Sequence, residues 1–107
     1  VASTATDGIT VVTVTGEIDH TTAAPLIHAL DLGDLGDRHR VVVDMRHVTF
    51  MDSSGINVLL VAHRQLTQAD GWLRLAGVPN FVLRTLQIVG IDAVIPCYTG
   101  LHEDLEA

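Results

Sequence analysis

The run Val41-Val42-Val43-Asp44-Met45 constrains this chain more than any other segment. Apolar side chains on successive residues of a strand point to opposite sides, so an almost unbroken apolar run reads as a strand covered on both faces. The rest of the chain supplies partners for it. Ile9-Thr10-Val11-Val12-Thr13-Val14-Thr15 is β-branched and nearly alternating, the pattern of a half-buried strand. Asp7-Gly8 before it is a hairpin signal, which makes Val1 to Thr6 a short edge strand.

Helical periods separate the strands. Ala23, Leu26, Ile27 and Leu30 recur at i, i+3, i+4 and i+7, so Thr21 to Leu30 is an expected helix with Thr21 or Thr22 as cap and Pro25 in its first turn. The Gly- and Asp-rich residues 31–40 read as a loop. Gly55 to Ala69 carries Ile56, Leu59, Leu60, His63 and Leu66 at helical spacing, and Trp72 to Ala76 reads as a strand. Pro79 opens a third helix whose apolar face is Val82, Leu83, Leu86 and Val89, with Gly90 as its stop. Val94-Ile95 is expected as a short last strand, and Thr99 as the cap of an acidic turn carrying Leu101 and Leu105. The expected architecture is α/β: a mixed sheet of about four to five strands with helices packed mainly on one face, in a single domain over residues 1–107.

Composition narrows function. The chain is 48% hydrophobic but only 4% aromatic, so its core is aliphatic. Thirteen acidic against six basic residues give a net charge of −7, which repels a phosphate backbone and argues against nucleic acid. A lone Cys97 forms no internal disulfide, and no apolar run approaches a bilayer span, so a soluble cytoplasmic chain with no membrane partner is expected. No Cys-x-x-Cys or His-x-x-x-His pair points to a metal, no Gly-x-x-x-x-Gly-Lys loop points to a nucleotide, and Gly-x-Ser-x-Gly is absent. The expectation is a non-enzyme without cofactor. His20, His28, His39, His47 and His102 read as surface residues and His63 as a core-edge one.

The stretch Phe50-Met51-Asp52-Ser53-Ser54-Gly55 interrupts what would otherwise be one apolar run, at the carboxyl end of the central strand where α/β proteins place function. Ser53 or Ser54 as an N-cap is worth about 1 kcal/mol, which accounts for one hydroxyl but not for the neighbouring Asp52, second Ser and Gly55. A phosphate here is tolerable to the fold, because helix-start N–H groups and the helix dipole favour an anion. It also adds about −1.5 to −2 charges beside Asp52, which a partner docked on that corner meets as repulsion. Such a site switches binding without unfolding the domain.

The segment VVVDMRHVTFMDSSGINVLL resembles the strand–loop–helix signature of STAS domains, the bacterial anti-sigma-factor antagonists. GEID at 16–19 is similar to their Gly-Glu-Leu/Ile-Asp turn, and LRLAGVPNFVLRTLQIVGI at 73–91 to their later strand–helix segment. The resemblance implies a partner switch: the unmodified antagonist binds an anti-sigma factor that is also a Ser/Thr kinase and frees a sigma factor. Phosphorylation then releases the antagonist, and a serine phosphatase restores it. Carried over, it implies that Ser53 is the phosphoacceptor, with Ser54 as second choice. Asp19, Asp52, Gly55, Ile56 and Asn57 would complete the docking corner. Many members follow the motif with Leu-Gly, whereas Ile56-Asn57 stands here, so Asn57 bears on partner choice. The same frame also implies other roles: an accessory domain of an anion transporter, a stressosome-type scaffold or a lipid-trafficking subunit.

Overall fold

The computed structural model describes residues 2–6, 8–30 and 39–98. Its elements are β1 (Ala2–Thr6), β2 (Ile9–Ile18), α1 (Ala23–Ala29), β3 (Arg40–Met51), α2 (Ser53–Gln68), β4 (Trp72–Ala76) and α3 (Asn80–Ile88), followed by a 3-10 turn at Ile91–Ala93. The sheet order is β1-β2-β3-β4, antiparallel at the β1–β2 hairpin and parallel thereafter. Gly8, at φ 80°, supplies the left-handed residue that the hairpin turn requires.

The central run behaves as its composition demands. Val41 and Val43 point into the main core, where Val12, Val14 and Met45 meet Leu26, Leu59, Leu66 and Leu86 from the three helices. Val42 points the other way, into a smaller cluster with Val11 and Ala76 under Ile9 and Trp72. All three valines are fully buried, which is why the run does not alternate. Asp44 lies on the Val42 side by alternation. It is 1% exposed, and its carboxylate accepts from the Arg46 backbone N–H at 3.1 Å and from the Arg46 guanidinium Nη2 at 2.8 Å. A carboxylate so buried needs a charged partner, and this one has it two residues away.

Two expected boundaries move. β2 continues past Thr15 to Ile18, and β3 continues to Met51, so the pair extends well beyond the end of β4. Register shifts between Thr13/Thr15 and between Gly16/Glu17 each place one extra residue on β3. These bulges bend and twist the pair, and Phe50, near its end, is 49% exposed.

Val94-Ile95 does not form a strand. Both backbone N–H groups donate back to the Ile91 carbonyl, at 2.9 and 2.8 Å, and Pro96 has no N–H to continue a ladder. An isolated parallel bridge, Leu75 to Cys97, stands in its place. α1 also differs from its period, because Ile27 is 51% exposed while Leu26 and Leu30 are buried. Seven residues of helix cover only a narrow strip, and the i+4 member falls at its edge. Val89, expected on the apolar face of α3, is likewise 53% exposed. The expected loop at 31–40 falls mostly outside the described residues, as do Thr99, His102 and the acidic turn with Leu101 and Leu105. Of the other histidines, His20, His28 and His47 are exposed, and His63 is half-buried with no hydrogen-bond partner on Nδ1.

Candidate functional site

The carboxyl ends of β2 and β3 carry two turns that lie against each other. The Asp52 N–H donates to the Ile18 carbonyl at 3.1 Å, which ties the start of α2 to the end of β2. Asp19 follows Ile18 directly, so the end of the β2–β3 ladder, with this bond, brings the two residues expected at one corner together.

Asp52, not a serine, is the N-cap of α2. Its Oδ1 accepts from the Ser54 N–H at 2.8 Å and, at a longer 3.4 Å, from the Gly55 N–H. The expectation that these N–H groups stand ready for a phosphate is therefore corrected, because a carboxylate already takes them. Ser53 occupies the first helical position and is exposed, whereas Ser54 is half-buried. An exposed hydroxyl on a backbone held by its neighbour's carboxylate can be modified without loosening the helix.

Gly55 is buried and has no room for a side chain. A Cβ there would lie 2.6 Å from Ile18 Cγ2 and 3.0 Å from Met51 Cγ. The glycine thus lets α2 settle onto the β2–β3 extension and fixes where Ser53 projects. Ile56 is half-buried against the main core, and Asn57 is exposed one turn beyond Ser53.

Asp19 is held by Thr21 and Thr22, the residues expected to cap α1, of which Thr22 does stand at the N-cap position. Its Oδ1 accepts the Thr21 hydroxyl at 2.6 Å, the Thr21 N–H at 2.9 Å and the Thr22 N–H at 3.1 Å. The Thr21 hydroxyl chiefly, with the Thr21 N–H next, holds this carboxyl below its ordinary value. Thr22 makes no side-chain cap bond; its hydroxyl donates to the Glu17 carbonyl at 2.7 Å. The Asp-x-Thr-Thr spacing of Asp19, Thr21 and Thr22 was the available signal for this clamp.

Among the described residues no group of three or more His, Cys, Asp or Glu is placed to hold a metal ion, and no helix is long and apolar enough to cross a membrane. Burial, with Asp92 adding to it, pushes the Cys97 thiol up to about 11, so it stays protonated at neutral pH.

The STAS domain family model matches residues 1–104. The chain belongs to the STAS-domain, anti-sigma-factor antagonist family. It is 32% identical over 82 residues to an anti-sigma-B factor antagonist of Listeria monocytogenes, covering 77% of this chain and 72% of that one. It is 28% identical over 92 residues to an anti-sigma F factor antagonist of Paenibacillus polymyxa, covering 85% and 79%. A crystal structure of an anti-sigma factor antagonist from Mycobacterium paratuberculosis superposes with a TM-score of 0.87 at 27% identity, over 98% of this STAS chain and 89% of that one. The STAS sheet seen here, four strands with helices on one side, is therefore a shared frame. Asp19, Asp52, Ser53 and Gly55 are the residues this chain sets on its corner.

Proposed function

We infer that this chain is an anti-sigma-factor antagonist controlled by phosphorylation of Ser53. The unmodified form binds an anti-sigma factor that is also a serine kinase and frees a sigma factor; a serine phosphatase reverses the modification. The relatives named above support the antagonist role. The observation that carries the switch is the placement of Ser53: exposed, first in α2, beside the carboxylate of Asp52 and next to the turn of Asp19.

In the transfer, the Ser53 hydroxyl oxygen attacks the terminal phosphorus of ATP, ADP leaves, and the hydroxyl proton passes to a base of the kinase. This chain supplies the acceptor and the docking corner; nucleotide and metal belong to the partner. The product adds about −1.5 to −2 charges beside Asp52. The Ser54 and Gly55 N–H groups already serve Asp52, so the new charge is left at the surface and repels or sterically opposes what was docked there.

The test is to incubate the chain with its anti-sigma kinase and ATP and to locate the added phosphate by mass spectrometry, with Ser53→Ala and Ser54→Ala in parallel. Phosphate on Ser53, absent from Ser53→Ala, is expected. Binding of the anti-sigma factor should be retained in Ser53→Ala and weakened by about tenfold or more in Ser53→Asp. Phosphate only on Ser54, or undiminished binding by Ser53→Asp, would overturn the reading.

A further inference from the structure

Exposed apolar bulk is concentrated at one place on this molecule. Among the described residues seven large apolar side chains are exposed, and four of them, Phe81, Ile88, Val89 and Val94, fall between the first turn of α3 and the end of the 3-10 turn. Ile88 is the most exposed of the seven, at 79%. Phe81, Arg84 and Ile88 stand at i, i+3 and i+7, along the side of α3 turned away from the buried Val82 and Leu86. Apolar side chains gathered in this way mark a protein contact, whereas single ones scattered over a surface do not.

The same stretch is where the acidity of the chain lapses. Thirteen acidic residues give a net charge of −7, yet residues 71–91 contain no Asp or Glu. Two copies of the chain therefore repel each other over most of their surface and least across α3. The charges that flank Ile88 are opposite in sign: Arg84 lies four residues before it and Asp92 four residues after it, on the 3-10 turn. Both are exposed, and among the described residues neither is in an ion pair. A base on one side of an apolar centre and an acid on the other make a surface complementary to itself when it is turned by half a revolution.

We propose that two copies of this chain associate through α3 about a two-fold axis at Ile88, so that Ile88 packs on Ile88 and Arg84 of each copy pairs with Asp92 of the other. In an isologous contact residue i meets j and j meets i, so one complementary pair of charges is used twice. Phe81, Val89 and Val94 add apolar area around the centre, and the charges stay at the rim, where desolvation costs least. A foreign partner would have to carry the same base–apolar–acid order on its own surface, whereas a second copy carries it by construction. None of these residues belongs to the Ser53 corner, so the association is independent of the phosphorylation reading. Four side chains form a small patch against the about 800 Å² per side of a standard interface, and the expected Kd is about 10–100 μM.

The test is sedimentation equilibrium of the chain alone from about 5 to about 500 μM, a range that brackets this Kd. The wild type is compared with Ile88→Asp, Arg84→Asp, Asp92→Arg and the double variant that carries both charge changes. Thermal melting identifies any variant that fails to fold; should Ile88→Asp melt early, Ile88→Ser carries the same test. The wild type is expected to dimerise, and Ile88→Asp, which sets two carboxylates face to face on the axis, to stay monomeric. Each single charge change turns two attractions into two repulsions and should weaken the dimer about tenfold, while the double variant should return to within about threefold of the wild type. A wild type that is monomeric throughout overturns the proposal and leaves the patch to another protein. So does a dimer that Ile88→Asp leaves intact, which would use a different face. Weakening by both single changes without recovery in the double variant overturns the pairing of Arg84 with Asp92.

Discussion

α2 and α3 start alike, each launched after the carboxyl end of a parallel strand, but the two junctions are built from different materials. At α2 the cap is Asp52, whose side chain takes two N–H groups; at α3 it is Pro79, which makes no side-chain bond. The first helical residues, Ser53 and Asn80, are both exposed, and the third ones, Gly55 and Val82, are both buried. The third position points inward in each helix, yet only α2 requires glycine there. The cause lies in the strands beneath: β2 and β3 run on to Ile18 and Met51 and press against α2, whereas β4 stops at Ala76. Similar topology therefore gives one junction held from below by two strands and another stabilised mainly by its own packed side chains.

The comparison can be broken first at the third position. Gly55→Ala is expected to cost about 1–3 kcal/mol by overpacking against Ile18 and Met51, which lowers the melting temperature by roughly 4–8 °C per kcal/mol in a domain of this size. Val82→Ala, the opposite change of volume, should also destabilise, by leaving a cavity. A neutral Gly55→Ala in thermal melts would mean that α2 is not pressed as described.

Charge at the first position sharpens the contrast next. Ser53→Asp should weaken anti-sigma binding by about tenfold or more, an effect of about 1.4 kcal/mol. Asn80→Asp puts the same charge on the equivalent residue of α3, and calorimetric titration should find its affinity unchanged. Equal losses would place the docking surface across both junctions.

The caps come third. Asp52→Ala removes a side-chain cap and should cost about 1 kcal/mol in urea unfolding. Pro79→Ala has no cap bond to lose and should cost about 0.4–1 kcal/mol through greater freedom of the unfolded chain.

The smallest effect is on acid titration. The folded-state value of Asp19 lies below its ordinary 3.8, so its contribution is present above that ordinary value and is lost as pH falls through the depressed one. Thr21→Val should raise the Asp19 value towards the ordinary one, read from its carboxyl carbon by NMR titration. No movement would mean that the Thr21 hydroxyl is not the main cause.

Much of the fold was legible because its signals are local or periodic. Val41 to Val43 announced a doubly covered strand, Asp7-Gly8 a hairpin, and the spacing of Leu59 and Leu66 a helix against the core. The misses have a common origin. Asp52 displaced the serines as cap because a carboxylate, here one residue earlier, is as good an acceptor as a hydroxyl. Thr22 stands at the N-cap of α1 as expected, but its hydroxyl donates to the Glu17 carbonyl and that of Thr21 to Asp19, so neither side chain caps the helix. Val94-Ile95 folds back on Ile91, which apolar character alone does not forbid.

By itself the sequence determined the chemistry of the corner: a carboxylate, two hydroxyls and a glycine in consecutive order. Hydrogen bonds spanning two or three residues, such as Asp52 to Ser54, depend on little else. Only the tertiary structure decided which segments meet there. Ile18 fills the space over Gly55, Ile27 turns outward beside Val61, and β2 and β3 shift register twice, which no single strand encodes. Those outcomes depend on how much surface distant segments can bury together, and the register between β2 and β3 settles that.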